Sequence, residues 1–159
     1  MVSWTIELAE AILDDPSKVT TIMGVSLAEG FPNHPVRHFV LPTTLSRLRR
    51  DPAYGVWSGL IIHPAEHVAI GSMGFKAPPD NQGAVEIGYD IAPAYQGNGY
   101  ATEMARAFVN WGLEQTSVRR ITAECLPDNA PSIRVLEKIG MHLVTANDEM
   151  LYWELPVPE

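Results

Sequence analysis

Tyr89-Asp-Ile-Ala-Pro-Ala-Tyr-Gln-Gly-Asn-Gly-Tyr-Ala-Thr-Glu103 decides how the rest of the chain is read. A strand pattern over Val85–Ala92 leads into it, with Val85, Ile87, Tyr89 and Ile91 on one face and Glu86, Gly88 and Asp90 on the other. Pro93 ends that strand, two glycines follow, and a helical pattern begins at once. Ala101, Met104, Ala105, Phe108 and Trp111-Gly112 fall on one helix face. Such a turn offers consecutive backbone N–H groups, free of bulky Cβ atoms, at the positive end of a helix dipole. That is an anion site, and a diphosphate is its usual guest; a glycine-rich tight turn without a ligand is the competing reading.

Three phosphate motifs compete for this loop. A Walker A loop needs G-x-x-x-x-G-K-[ST], and no lysine follows these glycines. A dinucleotide fingerprint needs G-x-G-x-x-G, whereas Gly97-Asn-Gly99-Tyr-Ala-Thr102 puts threonine third and leaves 57 residues for the rest of a doubly wound domain. The pattern [RQ]-x-x-G-x-[GA] is met in full by Gln96-Gly-Asn-Gly99-Tyr-Ala101.

Outward from the loop, the middle of the chain reads as a meander of three antiparallel strands, Val56–Ile62, Val68–Lys76 and Val85–Ala92, separated by turn-like stretches. Downstream, Arg120–Leu126 reads as a strand, Pro131–Ile139 as a helix closed by Gly140, and His142–Ala146 and Met150–Leu155 as two further strands. Strand, helix and strand in succession imply a right-handed parallel crossover. Upstream, helical spacing runs from Ile6 to about Met23, broken at Asp14-Asp15-Pro16, where Asp15 suits an N-cap and Pro16 a first helical position. Residues 31–36 read as loop and Thr43–Arg50 as a third short helix. The sum is a mixed sheet in an α/β arrangement, antiparallel first and then βαβ, with helices on its faces.

Composition sets the frame. The 159 residues are 46% hydrophobic and carry 11 Lys+Arg against 19 Asp+Glu, a net charge of −8. They suit one globular domain able to bury a core without staples. The acidity argues against a nucleic-acid surface and hints at a cationic partner. A single cysteine, Cys125, excludes an internal disulfide and fits a reducing compartment. No apolar run approaches a membrane span, and Met1–Glu7 lacks the pattern of a signal peptide, so a cytoplasmic location is expected.

Four stretches in order, Val85-Glu-Ile-Gly-Tyr-Asp-Ile91, the Gln96–Ala101 loop, Asp128-Asn-Ala-Pro-Ser132 and Val135-Leu-Glu-Lys-Ile-Gly-Met141, resemble the GNAT superfamily of acetyl-CoA-dependent N-acetyltransferases. The resemblance covers about Gly55–Leu155. Its last two stretches are most similar to the branch of the ribosomal-protein N-terminal (alanine/serine) acetyltransferases and their small bacterial relatives. It implies an acyl-CoA N-acyltransferase fold in one domain over 1–159. Residues 1–54 would form a helical acceptor-side region and 55–155 an acetyl-CoA-binding core.

The resemblance also implies roles. Gln96 and the backbone N–H groups of Gly97, Asn98, Gly99, Tyr100, Ala101 and Thr102 would hold the CoA diphosphate. The strand carrying Tyr89, Asp90 and Ile91 would splay from Arg120–Leu126, so that pantetheine pairs with its backbone. An N–H near Ile91 would polarise the thioester carbonyl. Asn129 would bond the pantetheine arm. Arg134, and less specifically Lys138, would meet the 3′-phosphate, against the alternative of an exposed helix face. Glu86 matches a glutamate that serves as base in several relatives; substrate ammonium binding and a structural hydrogen bond are its other readings, with Asp90 in reserve as base. The tyrosine that many members place seven residues after the asparagine is here Leu136. Ser132 would then donate to the CoA sulfur, or merely satisfy backbone donors at a helix start, with Tyr152 a more distant candidate.

The implied activity is direct acetyl transfer from acetyl-CoA, a co-substrate, to a primary amine, either a protein N-terminus or a small molecule. No metal, nucleic acid or membrane is involved, and a homodimer is compatible. The alternative is a non-catalytic acyl-CoA-binding or sensing module. His63-Pro-Ala-Glu-His67 matches a zinc-hydrolase pattern, but strand-like flanks make it a hairpin turn rather than a helix face. Cys125 reads as a buried small residue. Phe31, His34 and His38 lie in a loop where the family often builds its acceptor pocket.

Overall fold

Thr5 starts the first helix, its Oγ1 accepting the Leu8 N–H at 3.1 Å. In the computed structural model, which describes residues 1–156, the chain forms two compact units. One comprises Met1–Met73 with Asp90–Gln96, the other Gly74–Tyr89 with Gly97 onward.

The first unit holds strand β1 (Val2–Ser3), helices α1 (Ile6–Asp14) and α2 (Ser17–Met23), strand β2 (Ser26–Leu27), helix α3 (Leu41–Arg50), strand β3 (Ser58–His63) and most of β4 (Val68–Phe75). β1 runs antiparallel to β3, while β2 lies parallel to β4 through Ser26↔Val68 and Leu27↔Ala69. Leu8, Ala9, Ala11 and Ile12 bury one face of α1, as their spacing predicts. They pack with Val19, Leu41, Leu48 and Leu60 in one apolar cluster.

Two elements start two residues away from where the sequence reading puts them, while several others shift by one. α3 begins at Leu41 rather than Thr43, because residues 36–40 already wind as a π-type helix that runs directly into it. β3 begins at Ser58 rather than Val56. Asp51 Oδ1 accepts the Ala53 N–H at 3.0 Å and starts a tight 3-10 helix over Pro52–Trp57, leaving Val56 exposed. α2 begins at Ser17, with Pro16 rather than Asp15 at the N-cap position; Asp15 lies one residue before it, its Oδ1 accepting from both the hydroxyl and the N–H of Ser17.

The second unit continues with β5 (Ala84–Ile91, its last two residues in the first unit), α4 (Tyr100–Glu114), β6 (Arg120–Cys125), α5 (Ala130–Lys138), β7 (His142–Ala146) and β8 (Leu151–Leu155). β5 and β6 are parallel and joined through α4, which is the crossover expected from the sequence. β8 lies antiparallel to both β6 and β7. The strand order is β1-β3-β4-β5-β6-β8-β7, with β2 beside β4, a mixed and mostly antiparallel arrangement. Phe75, Phe108 and Trp111 stack in this unit's core, with Phe75 and Phe108 centroids 4.7 Å apart. Gly112 lets α4 approach: a Cβ there would fall 2.6 Å from the Phe75 ring.

One detail of register bears on function. The β5–β6 ladder pairs Ala84↔Arg120, Val85↔Ile121 and Glu86↔Thr122, then stops, although β6 continues to Cys125. Beyond Glu86 the two strands part.

Candidate active site

The loop after β5 takes its shape from proline and glycine. Residues Pro93–Tyr95 make one 3-10 turn, and the Gln96 amide donates to the Ile91 carbonyl at 2.8 Å. In the second unit, Gly97 and Gly99 follow with φ of +77° and +85°, the left-handed region that L side chains rarely adopt. No heavy atom beyond their chain neighbours lies within 4 Å of where their Cβ atoms would be, so the backbone conformation, and not crowding, selects glycine. Gly99 is the N-cap of α4 and brings no side chain to bond the first-turn N–H groups. Helix α4 therefore starts without a capping side chain from its own N-cap residue, over the residues where an anion was expected.

The start of α5, in the same unit, shows what Ser132 touches. Asn129 is the cap: its Oδ1 accepts the Ser132 N–H at 3.2 Å. The Ser132 hydroxyl is thereby relieved of capping, and its partner is the Tyr89 hydroxyl at 3.0 Å. That phenol also lies 3.4 Å from the Ser132 carbonyl oxygen. Burial raises the Tyr89 pKa to about 12. Leu136, at the position where many relatives place tyrosine, is 1% exposed and belongs to the core. Arg134 and Lys138 are exposed on α5, whose end is tied to α4 by Arg106 donating to the Lys138 carbonyl at 2.8 Å.

The two carboxylates of β5 have different company. Glu86 is ion-paired with Lys76, whose ammonium also meets Glu124 at 2.8 Å. Burial works against the Lys76 charge, but Glu124 and Glu86 outweigh it and hold the amine above its ordinary range. Lys76 in turn holds the Glu124 carboxyl below its own. Asp90, in the first unit, has no cationic partner among the described residues. Its Oδ1 accepts the Ser72 hydroxyl at 2.6 Å and the Ser72 N–H at 3.2 Å. Burial nonetheless pushes its pKa up to about 6. The neighbouring Gly71 makes this possible, since a Cβ there would collide with the Asp90 carbonyl.

Other sequence signals resolve locally. His63 and His67 bracket the β3–β4 turn, and no cluster able to hold a metal exists among the described residues. Glu66 accepts the Tyr95 hydroxyl at 2.5 Å. His34 and His38 stack with centroids 4.3 Å apart. Cys125 is buried, which pushes its thiol pKa up. Sequence reasoning missed Ser72 and Lys76. A lone hydroxyl inside the apolar run Val68–Phe75 was the available signal for the first; nothing in the spacing foretold the second.

Comparison with known proteins fits this geometry. The family model described as "Acetyltransferase (GNAT) domain" matches residues 5–142. An uncharacterized N-acetyltransferase of Bacillus subtilis (strain 168), YjdG, is 35% identical over 106 residues, 67% of this chain and 63% of that one. A second from the same organism, YnaD, is 48% identical over 56 residues, 35% of this chain and 33% of that one. The chain thus spans less than two thirds of the length of these relatives. Among solved structures, a GNAT-family acetyltransferase from Bacillus anthracis superposes with a TM-score of 0.62 at 24% identity, covering 96% of this chain and 91% of that one. A chimera of the spermidine N-acetyltransferase SpeG from Vibrio cholerae and hSSAT reaches 0.66 at 11% identity, covering 97% and 93%. At these identities the likeness is one of fold.

Proposed function

The chain belongs to the GNAT acetyltransferases, and on that footing we propose that it moves the acetyl group of acetyl-CoA directly onto a primary amine. The observation that carries this reading is the turn through Gly97 and Gly99 into α4, with both glycines left-handed and the second of them at the helix N-cap. Gln96 and residues Gly97–Thr102 would hold the CoA diphosphate, the amide N–H groups of Asn129 the pantetheine arm, and Arg134 the 3′-phosphate. The parting of β5 from β6 beyond Glu86 supports a pantetheine lying along the β5 backbone at Tyr89. Asp90 and Ile91 follow it in the chain.

An amine arrives mostly as ammonium and must lose a proton before it attacks the thioester. We assign that proton to Asp90 rather than to Glu86. The Glu86 carboxylate already holds an ammonium of this chain, whereas Asp90 has no cationic partner among the described residues and its pKa is pushed up to about 6. No activated nucleophile is called for: the buried Cys125 thiol has its pKa raised, the reverse of what an acyl-enzyme needs. The acceptor is a small-molecule amine or a peptide N-terminus.

Incubation with acetyl-CoA and a panel of amines, read by free-thiol release, tests the reading. The panel includes amino acids, polyamines, aminoglycosides and peptides beginning with alanine or serine. Thiol release with at least one amine, and a higher melting temperature with acetyl-CoA but not with ATP or NAD, is the expected result. Protection by acetyl-CoA without turnover on any amine would instead identify a binding module. Protection by ATP or NAD alone would overturn the ligand assignment.

A further inference from the structure

We propose that Tyr89 is a positioning residue for departure of the CoA thiolate, holding the Ser132 hydroxyl so that its hydrogen is directed at the sulfur. The inference rests on the acetyl-transfer reading above and on CoA sulfur arriving at the start of α5.

Three observations within the second unit carry it. The Ser132 hydroxyl is 3.0 Å from the Tyr89 phenol oxygen. Capping of α5, the ordinary work of a serine in a first turn, is done by Asn129. And the phenol comes from β5, at the stretch where that strand has left its β6 partner. A serine hydroxyl that accepts from Tyr89 has its own hydrogen to give to a third atom. In the opposite arrangement, Ser132 donates to Tyr89 and Tyr89 to the Ser132 carbonyl, a closed pair with nothing left for a ligand. The 3.4 Å separation makes that second bond the poorer of the two.

The step balances without a further reactant. The amine nitrogen forms a bond to the acetyl carbon, the C–S bond breaks, and its electron pair stays on sulfur. The nitrogen loses two protons, one before it attacks and one as the amide forms, both passing in the end to water, and the thiolate takes one from solvent after it has left. Tyr89 keeps its own proton throughout. Its pKa lies near 12 while an ordinary thiol ionises near ~8.5, so transfer from phenol to thiolate is uphill. The contribution of the pair is a hydrogen bond aimed where negative charge develops. A tyrosine hydroxyl from β5 and a serine from α5 thus do together what a tyrosine at the Leu136 position does alone in many relatives.

Kinetics of Tyr89→Phe, Ser132→Ala and the double variant test this, with acetyl-CoA varied at saturating amine. Ser132→Ala is expected to lower kcat by about 100-fold and Tyr89→Phe by about 10-fold, with the KM for acetyl-CoA and the acid limb of the pH profile unmoved. The double variant should be no slower than Ser132→Ala, because Tyr89 acts only through that hydroxyl. Ser132→Thr, which keeps the hydroxyl, should recover most of the rate. A Tyr89→Phe enzyme with wild-type kcat overturns the proposal, as do multiplicative losses in the double variant or a loss confined to KM. Should Tyr89→Phe fail to fold, full activity in Ser132→Ala overturns it and loss with threonine rescue sustains it. A wild-type protein that binds acetyl-CoA but acetylates no amine fails earlier, at the acetyl-transfer reading, and takes this inference with it.

Discussion

Asp90→Asn is expected to silence amine acetylation and at the same time make the protein harder to melt. The first effect follows from removing the proton acceptor: at pH 7.5 kcat/KM should fall by about 100-fold or more. In the wild type the rate should climb with pH through an acid limb near 6, as the Asp90 carboxyl ionises. The second effect has the opposite sign for the same reason. The carboxyl ionises more readily in the unfolded chain, near 3.8, than in the folded one, near 6. Between those values the folded state holds the extra proton, so stability declines as pH rises and the deficit is complete above 6. Two pKa units correspond to at most about 3 kcal/mol, less whatever the Ser72 hydrogen bonds lose against a neutral amide. The asparagine variant should therefore melt higher than wild type at pH 7.5, with the gap closing below pH 4. Melting curves at both pH values, beside steady-state rates, check both halves. An active Asp90→Asn enzyme beside a dead Glu86→Gln enzyme would return the base to Glu86.

Gly99→Val should raise the Kd for acetyl-CoA by about 100-fold, or ~3 kcal/mol. Open space surrounds the position, so the new side chain displaces nothing. It loses because a β-branched residue resists a φ of +85°. The backbone that relaxes is the N-cap of α4, and its N–H groups turn away from the diphosphate they are proposed to bind. Gly24 provides a control: its φ is also positive and its surroundings equally open, but it closes α2 in the other unit. Gly24→Ala should cost stability and leave the Kd alone. Titration calorimetry with acetyl-CoA separates the two, and an unchanged Kd in Gly99→Val would sink the diphosphate assignment.

Most of the sheet was legible because alternation and turn residues agree there. Val85 and Ile87 are buried as their period demands, and the loop expected at Gly97 and Gly99 is there, with both glycines left-handed. What was illegible is non-local. Glu86 and Asp90 look alike in sequence, two pleats apart on one face. Only the strand beside them, with Lys76 at one point and Ser72 at another, makes one an ion pair and the other a carboxyl that titrates near neutrality. Likewise Ser132 had two readings that sequence could not separate, because the choice depends on Asn129 taking the cap and Tyr89 arriving from β5. The short strands β1 and β2 left no pattern at all, since two residues cannot display a period. The N-terminal helix boundaries moved where proline and Asp51 favoured tighter or wider turns than an α-helix.

Lys76 follows the end of β4, while Glu86 and Glu124 belong to β5 and β6, so a single ammonium works as an ionic strut across three strands just where the hydrogen-bonded ladder gives out. A strut of charge answers to the solution in ways a ladder does not. All three side chains are a third or more exposed, so added salt weakens it. Its pH limits lie far apart. The raised lysine pKa carries the ammonium past its ordinary range before alkali releases it, and the lowered Glu124 pKa carries the Lys76–Glu124 contact below the ordinary carboxyl range before acid does. The alkaline conditions in which an amine acceptor sheds its proton unaided are thus conditions in which the strut still stands, and ionic strength, more than pH, sets how firmly the parted strands are braced.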